Sequence, residues 1–401
     1  MRPAAAGPDA PIRVGTYVFF PGGGIGRYTV EVLRAMAALP DVEPELWCAP
    51  DFHWQQPDGY AVWNGLWALS HERPLLRRSR FVAGQVLSPR RAAKRAREGG
   101  FDIVHFASFN NSTFPLWRPL LERSGVRVVI SAHDVRRAKP ILHPGWENAQ
   151  LKAVYRWADA LLVHSEHQKA ELVDFAGVEP GRVHLVPHGP YVYAEPTASP
   201  PALRERYGVP QDQQVALFFG QLRDEKGLAD LLQAMAVAET PFHLLVTGAA
   251  GGGHRGADHY RALAAEAGVT DRVTFLDRFV PDDEVGDVFA ASDWVALPYA
   301  ERFTSQSGVL NVAAHFEKPV LVSPAPVLAE TVRASGIGVV SAGTTPAALA
   351  DAADALAARI EGGERFPFDA YADRYSWRAN AEKTREVYRS VLAAPPAYSA
   401  A

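Results

Sequence analysis

Residues 12–36 read IRVGTYVFFPGGGIGRYTVEVLRAM, and the features in this stretch come in the order strand, glycine loop, helix. Residues 12–20 are a short apolar run of the kind that forms a buried strand. Pro21-Gly22-Gly23-Gly24-Ile25-Gly26 then makes a loop, after which Tyr28, Val32, Leu33 and Met36 recur at helical spacing on one side. The alternation continues. Strands are expected at 45–48, 101–106, 127–131, 160–164 and 183–186, with helices at 147–156 and 167–175; residues 51–69 are aromatic and irregular. Alternating strands and helices joined by short loops imply parallel strands covered on both faces.

Residues 194–201, AEPTASPP, are the one Pro/Ser-rich break in the middle of the chain and read as a linker. The same grammar restarts after it. Strands are expected at 215–219, 242–247 (ending in Gly248), 273–276, 294–297 and 320–323, and helices at 227–237, 259–267, 283–291, 308–316 and 346–359. The fold class is therefore α/β, with two consecutive doubly wound, Rossmann-like domains. A chain of 401 residues, 48% apolar and 21% charged, is long enough for two such cores. The net charge of −4 does not suit a protein that coats nucleic acid. A single cysteine, Cys48, excludes a disulfide framework and a thiolate metal site, and fits a reducing cytoplasm. The opening MRPAAAGPDAP lacks the apolar region of a signal peptide and reads as a frayed tail. No stretch is apolar for long enough to span a membrane.

Several loops fall between a strand and a helix N-terminus, where exposed N–H groups and the helix dipole favour an anion. The first holds Gly24 and Gly26. A dinucleotide fingerprint needs a further glycine at position 29, which is Thr29, and no acidic residue closes the second strand, so a nicotinamide enzyme is disfavoured. A tight turn with no ligand is the alternative reading. GxxxxGK[ST] is absent, which excludes a P-loop nucleotidase. In residues 220–227, GQLRDEKG, Arg223 and Lys226 form a diphosphate clamp or else pair with Asp224 and Glu225 in a solvated turn. Residues 304–309, TSQSGV, offer hydroxyls and Gly308 at another helix start, as an anion site or simple capping. His133-Asp134 follows the strand at 127–131, so His133 either meets a substrate or is a satisfied loop histidine. His164, His167 and His188 make no HExxH, and a zinc site is not expected.

Taken in order, PGGGIGRYT, the His-Asp pair, ADALLVHSEHQKAEL, VPHGPY, FFGQLRDEKGLADLL, VTFLDRFVPDDEV, ASDWVALPY, SQSGVLNVAAHFEKPVLVS and YSWRANAEKTREVY resemble glycosyltransferase family 4. The resemblance covers roughly residues 12–392. It implies the GT-B architecture, two Rossmann-like domains facing across a cleft, with a C-terminal helix crossing back to the N-terminal domain. The corresponding boundaries are 1–193 for acceptor binding, 194–201 for the linker, 202–370 for the nucleotide sugar and 371–401 for the returning helix. It also implies a retaining, front-face transfer of sugar from a nucleotide diphosphate sugar, UDP- or GDP-linked, to a small-molecule, glycan or lipid-linked acceptor.

In that frame His133 would contact the transferred sugar, and Arg223 with Lys226 would neutralise the leaving diphosphate. Gly24, Gly26, Gly220, Gly248, Ser307, Gly308, Val309 and Glu330 would line the donor, with Arg278 and Phe279 near the base. Asn110, Asn111, Asp134 and Arg136 would lie on the acceptor side. No cofactor or metal is expected, since no Asp-x-Asp occurs. The family's paired glutamates fall here at Thr304 and Val312, and its usual clamp arginine at Gln221, a pattern similar to a QSGV-type subset. That leaves Asn311, His315 and Glu317 as the nearest candidates for the ribose. A nucleotide-sugar epimerase and a non-catalytic sugar-nucleotide binder are the competing functions. High Arg over Lys and abundant Ala suit a GC-rich bacterial genome with cell-envelope or natural-product pathways. Residues 75–97 hold eight basic residues and no acid, which reads either as a solvated helix face and loop or as a positive bias of the N-terminal domain that suits an anionic acceptor, with at most a peripheral membrane contact. Pro89 is expected to break any continuous helix there.

Overall fold

The structure is a computed structural model that describes residues 10–136, 143–251 and 254–397; of the expected frayed tail at 1–11, residues 1–9 lie outside them. Among the described residues, those up to His188 together with those from Ser376 form one compact unit, and Gly189–Tyr375 forms the other.

In the first unit the order is β1 (Ile12–Tyr17), α1 (Gly24–Ala37), β2 (Val42–Trp47), β3 (Ala61–Trp63), α2 (Pro74–Gly99), β4 (Ile103–Phe106), α3 (Phe114–Glu122), β5 (Arg127–Ser131), α4 (Pro144–Trp157), β6 (Ala160–Val163), α5 (Glu166–Ala176) and β7 (Val183–Leu185). The second unit runs α6 (Pro200–Tyr207), β8 (Gln214–Phe219), α7 (Leu228–Val237), β9 (Phe242–Thr247), α8 (Ala257–Glu266), β10 (Val273–Leu276), α9 (Val285–Ala290), β11 (Trp294–Leu297), α10 (Gly308–His315), β12 (Val320–Val322), α11 (Pro326–Ser335), β13 (Gly338–Val340), α12 (Pro346–Glu361) and α13 (Phe368–Arg374). Last comes α14 (Trp377–Ala393), back in the first unit.

Both sheets are wholly parallel, ordered β3-β2-β1-β4-β5-β6-β7 and β10-β9-β8-β11-β12-β13. In each the chain runs outward one way, then returns to the first strand and runs the other way. The direction reverses between β1 and β4, and between β8 and β11. Such switch points leave a crevice at the carboxyl ends of the strands.

The crossing between units lies at His188–Gly189, earlier than the 194–201 linker that composition suggested. Residues 194–201 are fastened to the second unit. Thr197 donates its N–H (2.6 Å) and its hydroxyl (2.7 Å) to Asp287, and Gly286 lies so close to the Ala194 carbonyl that a Cβ there would fall 2.3 Å from it. The return lies after Tyr375, not at 371, because Tyr371 of α13 donates to Asn311 Oδ1 at 2.7 Å.

Helix α14 supplies part of the first unit's core. Ala381, Val387, Tyr388 and Val391 pack with Val14, Val32, Met36, Ile103 and Leu162. Ser376 caps it by accepting from Ala379 N at 3.0 Å. Its polar face is equally engaged. Tyr388 OH lies 2.7 Å from His105 Nδ1, Asn380 donates to Tyr28 OH (2.9 Å) and the Pro187 carbonyl (2.5 Å), and Arg385 and Arg389 meet Asp41.

Helix α2 runs unbroken through Pro89, contrary to the expectation from sequence. Proline deprives the carbonyl four residues back of its N–H partner. That carbonyl is Gln85 O, and Thr113 Oγ1 (2.7 Å) and Asn110 Nδ2 (3.3 Å) donate to it instead.

Candidate active site

The second unit gathers several candidates at its switch point. Gly220 follows β8 with φ +96°, and Gly248 follows β9 with φ +131° and so close that a Cβ there would lie 2.1 Å from Gly220 O. Only a residue without Cβ fits. The one-turn segment Asp224–Lys226 turns the chain into α7, and a Cβ on Gly227 would fall 1.9 Å from the Pro298 carbonyl just beyond β11. The loops after β8, β9 and β11 are thus pressed together at their backbones.

Lys226 is the buried cation of this cluster, 6% exposed. Its Nζ has the Phe219 carbonyl at 3.4 Å and the Tyr299 ring at 5.6 Å, and no carboxylate pairs with it among the described residues. A buried ammonium is costly without a counter-charge. The direction of a Cβ on Gly220 meets both Lys226 Nζ (3.1 Å) and Val309 Cγ2 (3.8 Å), so Val309 in the first turn of α10 belongs to the same cluster. Ser307, the buried residue before α10, has its hydroxyl 3.4 Å from Tyr299 OH rather than on the helix N–H groups. Gly308 opens α10 with its Cα facing Tyr191, 3.5 Å from where a Cβ would sit. Tyr299 is the member that sequence reasoning missed; its signal was the Pro-Tyr directly after β11.

Arg223 is less free than expected. Its Nη1 pairs with Glu225 at 3.2 Å, while its Nε is buried with no partner among the described residues. Arg278 is committed to Glu284, 2.7 Å from Oε2 with a second, shorter contact to Oε1, and Glu284 also accepts from Tyr207 OH at 3.0 Å. That fork braces the loop after β10, so Arg278 is a structural cation here, and Phe279 beside it is 76% exposed. Glu330 sits on α11 after β12. Asn311 is held by Tyr371, and His315 and Glu317 lie at the far end of α10, about 10 Å from its start.

In the first unit the loops after β1, β5, β6 and β7 carry the polar groups. Gly24 begins α1 with nothing within 4 Å of a Cβ, whereas Gly26 is required by packing, since a Cβ there would lie 2.8 Å from the Trp54 ring. His133 follows β5, His164 follows β6 and His188 follows β7, and all three rings surround Tyr28. His133 is half-buried, with Nδ1 3.2 Å from His164 Nε2 and with Nε2 buried and without a hydrogen-bond partner among the described residues. Burial, with the neighbouring His164, His188 and His105, holds its pKa well below the usual imidazole value. Burial takes His164 down to about 4, against the opposing bond to Val186 O, and His105 to about 3.

The acceptor candidates divide. Asn110 and Asn111 are 1% and 0% exposed, and their amides donate to main-chain carbonyls of α2 (Gln85) and α4 (Glu147), so they fasten helices and present no surface to an acceptor. Asp134 and Arg136 are exposed; Arg136 pairs with Glu171 at 3.2 Å and lies over the Phe175 ring. Among the described residues no group of His, Cys, Asp or Glu side chains is placed to hold a metal ion, and no helix is long and apolar enough to cross a membrane.

A model of glycosyltransferase family 4 matches residues 22–190, and a model of the glycosyl transferases group 1 matches residues 213–359. A D-inositol 3-phosphate glycosyltransferase of Xylanimonas cellulosilytica is 29% identical over 338 residues, 79% of this chain and 78% of its own. The Streptomyces scabiei protein of the same name is 29% identical over 74% of this chain and 69% of its own. Among solved structures, a glycosyltransferase from Rickettsia africae superposes with TM-score 0.71 at 15% identity, covering 96% of this chain and 99% of that one. Anabaena HepE in complex with UDP superposes with TM-score 0.70 at 17% identity, covering 95% and 100%.

Proposed function

The chain belongs to glycosyltransferase family 4, in the GT-B architecture, and from that premise we propose that it is a retaining, metal-independent transferase using a UDP-linked sugar. The observation that carries the reading is Lys226, a buried cation without a carboxylate, among Gly220, Gly248, Ser307 and Val309 at the carboxyl end of β8. Lys226 is assigned the diphosphate. Arg223 joins it by exchanging Glu225 for a phosphate oxygen, which its planar fork accepts in two bonds. As the bond to the sugar breaks, charge accumulates on the departing diphosphate, and fixed cations in a poorly hydrated site stabilise it without reorganising. His133 is assigned the transferred sugar, and Gly24 the phosphate or sugar side of the donor. UDP is favoured as the nucleotide because HepE, alike in fold, was solved with UDP and with UDP-glucose.

The curated relatives are named for D-inositol 3-phosphate, an anionic polyol. A small, hydroxyl-rich, anionic acceptor is accordingly proposed for this chain, with exposed Arg136 on its side. Thermal melting with UDP, GDP and ADP tests the nucleotide: UDP should raise Tm most. Transfer of labelled glucose from UDP-glucose to polyol phosphates tests the reaction. Epimerisation of the donor with no transfer to any acceptor would refute it.

A further inference from the structure

The hydrogen bonds of the histidine cluster run in one direction. The Val186 carbonyl only accepts, so His164 Nδ1, 3.1 Å from it, must carry a hydrogen. His164 is neutral, because burial disfavours its cation, and a neutral imidazole has one N–H. Its Nε2 is therefore a lone pair. His133 Nδ1 faces that lone pair at 3.2 Å and so must donate. By the same rule His133 Nε2 bears no hydrogen. It is a bare acceptor, buried and with no partner among the described residues. Histidine in water favours the opposite form, with hydrogen on Nε2, so the protein imposes this one.

The neighbours keep both rings in place. Gln168 accepts from His164 N at 2.9 Å and donates to His133 O at 3.0 Å, and its own N–H is capped by Ser165 Oγ at 3.1 Å. Tyr28 lies edge-on to His133 with centroids 4.6 Å apart. The ring of His133 therefore has fixed orientation as well as fixed protonation.

We propose that His164 is a positioning residue that holds His133 in the Nδ1–H tautomer, so that His133 Nε2 accepts a hydrogen bond from a hydroxyl of the bound sugar. The tautomer follows from the first unit alone; the sugar contact rests on the reading of His133 given above. A consequence is selectivity for a hydrogen-bond donor at that sugar position, since a fluorine or a methoxy group there would set an acceptor against an acceptor.

Long-range 1H–15N NMR on histidine-labelled, ligand-free protein at neutral pH reads the tautomer directly. His133, assigned through His133→Asn, is expected as Nδ1–H; an Nε2–H form overturns the proposal. His164→Leu should release His133 to Nε2–H, and His164→Gln, whose amide oxygen accepts the same bond, should keep Nδ1–H. Retention of Nδ1–H in folded His164→Leu overturns the role of His164; if that variant does not fold, wild type and His164→Gln decide it. Saturation with UDP-glucose should then move the His133 Nε2 resonance while Nδ1 keeps its hydrogen. An unmoved Nε2 with the tautomer as expected overturns the sugar contact and the reading it rests on, not the relay.

Discussion

Replacing Lys226 by methionine removes one charge and keeps the shape, and its expected effects point in opposite directions. In the free protein the ammonium is 6% exposed, and among the described residues its polar neighbours are the Phe219 carbonyl and the Tyr299 ring, with no carboxylate paired to it. A buried cation without a carboxylate gains little and loses its hydration, so Lys226→Met should leave stability unchanged or raise it by about 1–2 kcal/mol. Binding of UDP should lose a charge-assisted hydrogen bond, about 1.5–3 kcal/mol, or roughly 10- to 150-fold in Kd. Turnover should lose more, about 3–4 kcal/mol, because charge on the diphosphate grows in the transition state. Melting with and without UDP, with UDP-glucose hydrolysis or transfer, measures all three. The reasoning fails if Lys226→Met melts several degrees lower while its rise in Tm with UDP remains that of wild type. Lys226 would then serve the fold by way of Tyr299.

Four further outcomes are expected. Turnover should persist in excess EDTA, since side-chain cations are assigned the diphosphate charge; loss restored by magnesium or manganese would count against it. Gly227→Ala should destabilise by about 3 kcal/mol or more, combining φ +73° with a Cβ 1.9 Å from Pro298 O, and a wild-type urea midpoint would contradict this close approach. Because burial lowers His105 to about 3 and His164 to about 4 from 6.5, the unfolded chain binds more protons between those values. Stability should fall as pH drops below 6.5, by up to about 1.4 kcal/mol per unit for each histidine, and urea midpoints independent of pH from 6.5 to 4 would contradict it. Helix α2 exposes Leu75, Leu76 and Val82 beside Arg77, Arg78 and Arg80, so co-sedimentation is expected with anionic vesicles at low salt; equal binding to neutral lipid would show that charge is not the cause.

The alternation of strands and helices was legible because each parallel strand is a mostly apolar run that ends at a small or polar residue, such as IVHF before Ala107 and ALLV before His164. What stayed hidden depended on residues distant in sequence. Pro89 should have ended α2, but the carbonyl it orphans is answered by Thr113 and Asn110 from another segment. Residues 194–201 have a linker's composition, yet Asp287 holds Thr197. Within the second unit's part of the candidate site, Gly220, Gly248 and Lys226 announced themselves through local spacing, and the structure groups them with Val309 and Ser307. Arg278 looked equally suited to a ligand, and only the geometry shows its fork closed on Glu284. The histidine relay was invisible for a related reason: His133, His164 and Val186 belong to three successive crossovers, and no short spacing joins them.

The placement of α14 sets an order on biogenesis. A ribosome has made every strand of the first sheet by Leu185, but the residues that close its core, from Asn380 to Val391, emerge only after all of Gly189–Tyr375. At ordinary synthesis rates that interval is on the order of 10–40 s. During it Val14, Val32 and Met36 lack their apolar cover, and Tyr28 and Asp41 lack Asn380 and the two arginines. The second unit, continuous in sequence, meets no such wait. The nascent protein is therefore expected to mature from its downstream half backward, with the upstream half as the client that chaperones shield. A ribosome that stops just past Tyr375 would release one finished unit and one that is still open.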